Sequence, residues 1–430
     1  MQNQAAVESP GIKASAAATR EVLAGDAEAE LVIALGRAYH QSGVPSDQLE
    51  ELMHNAAAAL QLELQVTALP TSITAAIGPG YAQKVVLLRL EPGAIDLQRL
   101  ALLNAVYERV LHRNVVTSHA ASEVERIAAL SHDVGIVPTL IASCALSFGA
   151  AIILGGHAAE ITAATTIGFT IGILALVGRR VPAVARLFEV LAALTATAIV
   201  TAYSRAAQHF EVYVPLVAGV VQLLPGLQLT TALHELAYRN LVAGTSRLGS
   251  VLMTLLSLGC GFALGIALVG PGALHVARIA YAPVPLYELA LAVVAIASGI
   301  AVLQHARPSD YPWVLGSCAI AELAYRLFAL LPGYQVSTFG AALVVGLLTS
   351  LGSRYARVPQ AVLLVPGLLI LVPGALSYES IIFVLQSNAA DAAGIAVTSV
   401  VAAVEIVAGI LLAQLFVAPP HGFRGARPAG

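Results

Sequence analysis

Pro-Gly pairs inside apolar spans constrain this chain more than any other feature. After about residue 132 nearly everything is apolar helix. The pair falls within it at Leu223-Leu224-Pro225-Gly226-Leu227, then at Val365-Pro366-Gly367-Leu368 and Val372-Pro373-Gly374-Ala375. Proline lacks a backbone donor and clashes with the preceding turn, and glycine adds freedom, so the pair interrupts a helix. In a bilayer an interruption survives only where protein or a water-filled cavity satisfies the freed backbone. Interrupted spans at corresponding places in two halves point to the substrate site of a secondary transporter.

Composition sets the frame. Charged residues make up 11% of the chain and hydrophobic ones 58%, whereas soluble proteins carry about 25% charge. Much of the charge lies before residue 132. The net charge of −3 excludes nucleic acid as an expected partner. Lys13 and Lys84 are the lysines, so arginine carries the basic signal. Cys144, Cys260 and Cys318 fall in apolar spans without metal-type spacing, as small residues packing between helices do. Met1-Gln2-Asn3-Gln4 shows no basic secretory n-region, and residues 1–25, rich in Ala, Ser and Gly, read as a disordered lead-in.

Residues 26–132 read as a compact α+β domain. Leu31, Leu35, Ala38 and Tyr39 share a helix face that Gly43 stops, and Ser46 with Asp47 opens a second helix. Strands follow over Leu62–Leu69, Ser72–Ile77 and Lys84–Leu90, then helices from Asp96 to about Leu111 and from Ser118 to Leu130. The histidines His40, His54, His112, His119 and His132 make no metal spacing, and Gly78-Pro79-Gly80 is a turn rather than a phosphate loop. No catalytic constellation stands out, so this domain reads as regulatory or structural.

A spanning helix needs about 20 apolar residues. Candidates lie near 134–154, 159–177, 184–203, 211–233, 248–269, 285–304, 312–331, 336–352, 360–377 and 392–417. With the N-terminal domain inside, the inside loops hold Arg179, Arg180, Arg186, Arg239, Arg247, Arg307, Arg354, Arg357, Arg424 and Arg427. The outside loops hold Arg205 and Arg278. This bias places both termini in the cytoplasm. The expected fold is an all-α polytopic membrane protein preceded by a small α+β cytoplasmic domain. Its ten transmembrane helices form two five-helix inverted repeats, residues 133–270 and 271–418, with a cytoplasmic tail over 419–430.

A charge in mid-bilayer costs about 2.5–3.5 kcal/mol on insertion scales, so each invites an explanation. Glu322 and Arg326, at i and i+4, form either a structural ion pair or a gate. Glu405, with no arginine at helical spacing, is the better proton-carrier candidate, set against a structural carboxyl. Glu189, near Arg186, reads as a snorkelling side chain or a gating charge. The segment Gln222 to Arg239 is the richest. A helix starting after Pro225 and Gly226 offers unpaired amides to a carboxylate, with Gln222, Gln228, Thr230 and Thr231 as polar partners. Glu235 and Arg239 form an ion pair or a substrate clamp. In the second half Pro366, Gly367, Pro373 and Gly374 form the counterpart site, and Glu379 and Asp391 flank a connecting segment.

These residues resemble the threonine/serine exporter family over about residues 30–417. The likeness rests on Leu35-Gly36 with Ser42-Gly43, Leu69-Pro70, Gly93 to Leu100 with Leu103-Asn104, Gly155-Gly156, Leu224-Pro225-Gly226 with Leu229 to Ala232 and on to Gly244, Phe339-Gly340-Ala341 with Arg354 and Pro359, and the Pro-Gly pairs at 366 and 373. The resemblance implies a cytoplasmic domain followed by ten membrane helices in the inner (plasma) membrane. It implies proton-motive export of threonine and serine, or of C4-dicarboxylates such as succinate. The expected partners are the small-molecule substrate, protons and the lipid bilayer, with no cofactor; a homo-oligomer is compatible with this. Where the family carries aspartate after the first Pro-Gly, this chain has Glu235 beside His234. An enzyme is disfavoured, because the position four after His234 is Tyr238 rather than the second histidine of a zinc motif. A channel-type permease is a further alternative, less suited to a two-half design.

Overall fold

A computed structural model describes residues 26–80, 83–91, 93–130, 134–207, 210–270, 284–331, 336–356, 358–371, 374–385 and 389–416. The expected lead-in over 1–25, the tail over 419–430 and Pro373 lie outside the described residues.

Helix α1 (Ala27–Gln41) begins where the Asp26 side chain accepts from the Ala29 amide at 3.0 Å. It stops at Gly43, whose φ of 84° lets the Gly43 and Val44 amides reach the His40 and Tyr39 carbonyls at 3.1 and 3.3 Å. Helix α2 (Ser46–Ala59) precedes an antiparallel meander of β1 (Leu64–Leu69), β2 (Ser72–Ile77) and β3 (Lys84–Arg89). Leu69 lies opposite Ser72, and Ile77 opposite Lys84. Alternation turns Ile73, Ala75, Val86 and Leu88 inward. Asp96 caps α3 (Leu97–Leu111) through the Arg99 amide, and α4 (Thr117–Ala128) packs on α1. Leu31, Leu49, Met53, Ile73, Leu103, Val106 and Val124 form the buried centre. The elements expected here are present, with boundaries within two residues of expectation.

Beyond residue 134 the described elements are helical. They are α5 (Ile136–Ile153), α6 (Ala158–Gly178), the short α7 (Pro182–Arg186), α8 (Phe188–Ala206), α9 (Tyr213–Gly219), α10 (Gly226–Ala237) and α11 (Leu241–Val269). Then come α12 (Leu286–Leu303), α13 (Tyr311–Ala329), α14 (Ser337–Tyr355), α15 (Gln360–Leu371), α16 (Gly374–Leu385) and α17 (Ala389–Phe416). Among the described residues five helices are long and apolar enough to cross a membrane: α5, α6, α11, α12 and most of α17. The pair α9 and α10, joined through a 3-10 turn at Val221–Leu223 and bent by 50°, would make a sixth. The sequence reading expected ten. Helices stand at the other expected places, but α8 holds Glu189 and Arg205, α13 holds Glu322 and Arg326, α14 is rich in Ser, Thr and Gly, and α15 has 12 residues.

One expectation is corrected. Pro366 and Gly367 do not interrupt a helix; α15 runs through them. Neighbouring α13 packs on this stretch. The Ser317 hydroxyl donates to the Leu363 carbonyl, and the Cys318 thiol reaches the Pro366 carbonyl at 3.6 Å. The described parts of α15 and α16 lie on either side of residues 372 and 373, which are outside the described residues.

Small residues set the closest helix crossings. A Cβ on Gly149 of α5 would lie 2.7 Å from the Ala292 carbonyl of α12, and one on Gly299 of α12 would lie 2.9 Å from the Ala142 carbonyl of α5. The two glycines stand equally far in from Ile136 and Leu286, so the crossing is reciprocal. In the same way Gly261 of α11 meets the Val190 carbonyl and Ala193 of α8, while Gly409 of α17 meets the Phe339 carbonyl and Ala342 of α14. Gly149→Val and Gly299→Val should each destabilise the protein by about 1–3 kcal/mol through overpacking. Gly316→Ala, with open space around it, should melt at or above the parent temperature. Thermal unfolding in detergent checks all three.

Candidate functional site

The first interruption is built from side chains of another helix. Where α9 ends, the Gly219 carbonyl accepts from the Ser147 hydroxyl of α5 at 3.0 Å. In the turn that follows, Gln222 Oε1 accepts from Ser143 of α5 at 3.2 Å, while its buried Nε2 has no hydrogen-bond partner among the described residues. Pro225 then caps α10, and no side chain binds the first-turn amides. Those amides carry the positive end of the helix dipole. Thr230 returns its hydroxyl to the Gly226 carbonyl at 3.2 Å. Gln228 is exposed. The structure therefore divides the predicted polar set: Gln222 turns to α5, Gln228 faces outward, and Thr230 and Thr231 line a cavity.

That cavity, of about 210 Å³, lies between the N-terminal domain and helices α10, α15 and α17. A water needs about 10–15 Å³ on a comparable measure, so a small organic molecule fits. Leu227, Thr230, Thr231 and His234 come from α10, Leu364, Val365 and Leu368 from α15, and Ile410 and Gln414 from α17. The opposite wall is the N-terminal domain, with Gln48 and Asn104 its main polar side chains and with Tyr39 and Tyr107, whose hydroxyls are buried, also in it. Among the described residues no lysine or arginine lines the cavity, and Glu108, half-exposed, is the one carboxylate.

The roof is tied down by charge. Pro45 stands before α2 and supplies no side-chain cap. The first amide of that helix, Ser46 N, instead donates to Glu235 Oε1 of α10 at 3.0 Å. Glu235 is fully buried, and both its oxygens accept from Arg247 Nε of α11 at 2.9 Å. The expected Glu235–Arg239 pair does not form. Arg239 sits just past the end of α10 with φ 62°, where the chain turns away from the helix. Beside it Asp47 Oδ2 lies 3.3 Å from His234 Nδ1, and the His234 ring packs against Tyr238 at 4.7 Å. On the same face of α2 as Asp47, burial and the Asp47 charge push the Glu51 carboxyl up to about 7. The domain is fastened again at Leu97, whose amide donates to the Gln304 carbonyl at 2.8 Å, and at Asp96, 3.8 Å from His305.

The other predicted residues lie away from the cavity. Glu322, buried, accepts from Arg326 at 2.7 Å as the spacing predicts. Glu405, half-buried, bonds to Thr338 of α14. Glu189 is half-buried in the first turn of α8, where a carboxylate complements the dipole. Gly367 lets α15 approach Ser317 and Val345; Gly374 begins α16. Glu379 departs from expectation. It does not flank a loop but sits inside α16, 3% exposed, accepting from the Tyr213 hydroxyl of α9 at 3.0 Å. The Asp391 side chain lies outside the described residues. Among the described residues no three His, Cys, Asp or Glu side chains converge as a metal site. The sequence reading missed the cavity wall formed by Tyr39, Gln48, Asn104 and Tyr107, because no local motif marks residues that converge from separate elements.

A set of helices apolar enough to cross a membrane, one pair of them bent, marks a membrane protein. Comparison with known proteins is specific. The family model for a threonine/serine exporter matches residues 30–269, and a second, "Threonine/Serine exporter, ThrE", matches residues 287–416. The chain belongs to the threonine/serine exporter family. It is also similar to "Pheromone-regulated membrane protein 10" of several yeasts. The Candida glabrata protein is 26% identical over 80% of this chain and 45% of its own length. The Eremothecium gossypii protein is 24% identical over 89% of this chain and 54% of its own. The chain thus spans about half the length of these curated relatives. No solved structure matches.

Two measurements test the tie. Removing one partner of a buried ion pair costs about 3–5 kcal/mol, because the other is left uncompensated. Glu235→Ala should show a loss of that order in thermal unfolding, and adding Arg247→Ala should recover part of it. The Glu51 carboxyl rises from an ordinary 4.5 to about 7 on folding, so its neutral form favours the folded state. Its contribution is full below pH 4.5 and is lost as pH rises to about 7. The melting temperature should fall across that window, and Glu51→Gln should flatten the fall.

Proposed function

We propose that this chain is a secondary transporter that exports small, net-neutral polar amino acids, threonine and serine foremost, across the inner (plasma) membrane. In this reading residues 26–132 form a cytoplasmic domain, both termini are cytoplasmic, and ten helices cross the bilayer as inverted five-helix halves, 133–270 and 271–418. Protons drive export. Glu405 and the Glu322–Arg326 pair are the candidates for coupling and gating.

The observation that carries the substrate class is the cavity. Among the described residues its walls hold threonine hydroxyls, amides, tyrosines and His234 but no lysine or arginine. A dicarboxylate there would meet Glu108 with no lysine or arginine among those residues to balance two negative charges, at a steep desolvation cost. A zwitterion brings its own balance. Its ammonium suits Glu108 at the mouth, its hydroxyl suits Thr230 and Thr231, and its carboxylate suits the uncapped start of α10.

The inverted-repeat reading draws support from packing. Helix α10 begins at the glycine of a Pro-Gly pair, and α16 includes the glycine of another, Gly374. Helix α10 packs on α11 and α17; α16 packs on α17 and α11. The reciprocal Gly149 and Gly299 contacts lie where a two-fold relating the halves would pass. Such a design suits alternating access around a fixed site.

Inside-out liposomes holding the purified chain test the proposal. Labelled threonine and serine should be taken up faster with an imposed proton gradient, and succinate should not. Thr231→Val should slow uptake by about two- to tenfold, the worth of one hydrogen bond. Uptake of succinate alone would overturn the substrate class, and a linear, unsaturating flux without counterflow would overturn the carrier in favour of a channel.

A further inference from the structure

His234 lines the cavity from α10, and its hydrogen-bonding state is fixed from outside the cavity. Its Nδ1 lies 3.3 Å from Asp47 Oδ2 on α2, and one face of the ring packs on Tyr238 with centroids 4.7 Å apart. The contact is held a second time, because Ser46, just before Asp47, donates to Glu235, just after His234. A carboxylate only accepts, so the proton of the neutral imidazole sits on Nδ1 and Nε2 carries the lone pair. The residue keeps 9% of its surface. Nε2 bonds to no described residue, and it does not number among the partnerless atoms closed off from the surface. With Nδ1 on Asp47 and a face on Tyr238, the ring edge that bears Nε2 is the part that meets the cavity. Thr230 and Thr231 stand one turn earlier on the same side of α10 and line the same space.

We infer that His234 Nε2 accepts a hydrogen bond from the side-chain hydroxyl of the bound amino acid, and that Asp47 is the positioning residue that keeps this nitrogen an acceptor. This rests on the amino-acid reading above and adds to it the group that separates hydroxylated substrates from their deoxy counterparts. A lone pair repels a carboxylate oxygen and favours a donor. With the ammonium at Glu108, the donor left is the hydroxyl, and Thr230, Thr231 and His234 share the side of α10 it faces. An amino acid lacking that hydroxyl would leave Nε2 unpaired in a site shut off from bulk water, which is unfavourable. Asp47 belongs to the N-terminal domain. That domain therefore sets selectivity through the ring it orients, without touching the ligand at this point.

The test measures, by calorimetry on the full-length chain in detergent, affinity for threonine against 2-aminobutyrate and for serine against alanine. The parent should favour the hydroxylated member of each pair by about three- to tenfold. His234→Phe should bring both ratios close to one while leaving affinity for 2-aminobutyrate and alanine unchanged. His234→Gln, whose side-chain oxygen can stand in for Nε2, should restore part of the preference. Asp47→Ala, which frees the ring, should shrink both ratios and serves as the deciding variant if His234→Phe does not fold. Unchanged ratios in these variants would overturn the inference and leave the amino-acid reading intact. Equal losses for the hydroxylated and deoxy members would also overturn it, placing the ring on a group common to both. Failure of the parent to bind any of the four would overturn the amino-acid reading and the contact named here together.

Discussion

Breaking a helix inside apolar surroundings leaves backbone groups that something else must satisfy, and the arrangement of this protein follows from where those partners come from. At the first interruption α5 supplies them, Ser147 to the Gly219 carbonyl and Ser143 to Gln222. In α15 the helix passes its proline without stopping, while Ser317 and Cys318 of α13 bond to the Leu363 and Pro366 carbonyls. The same sequence signal therefore has two outcomes. A Pro-Gly pair at 225 opens a helix, whereas the pair at 366 sits within one.

The second dependence runs between the soluble domain and the helix that follows the first interruption. Helix α2 lacks a cap of its own, and Glu235, 189 residues away, serves its first amide while pairing with Arg247. One buried carboxylate thus joins α2, α10 and α11. With no water to screen it, the cost of losing any partner is high. The geometry makes the position of the N-terminal domain and that of α10 a single structural fact, and the cavity lies between them. On the far side of α10, Tyr213 and Glu379 link α9 to α16, so the two helix pairs are joined by buried polar contacts as well.

Much of the fold was legible because its signals are local. Asp26 and Asp96 cap helices, Gly43 ends one, and alternation in Ile73 to Ile77 marks a strand. The Glu322–Arg326 pair followed from i,i+4 spacing alone. The site was legible only in part. Thr230 and Thr231 were chosen for lying just after a Pro-Gly, and they line the cavity. Gln228 was chosen on the same ground and is exposed, since helical rotation turns it to the other face. Glu235 was given the partner nearest in sequence, yet the chain turns at Arg239 and Arg247 takes its place. Glu379 read as a loop charge because α16 continues further than hydropathy alone indicates.

By itself the sequence determined that this is a membrane chain with a small α+β domain ahead of it, that its apolar segments carry Pro-Gly pairs, and that its order of motifs matches one exporter family. Those properties are written in hydrophobic periodicity, caps and residue order, which act over a few neighbouring positions. Tertiary structure alone decided which side chains meet the first interruption, that Glu235 reaches Ser46, and that Asn104 and Thr231 line one cavity. These contacts join residues far apart along the chain. Their partners are selected by desolvation and packing in three dimensions, and no spacing in the sequence records them.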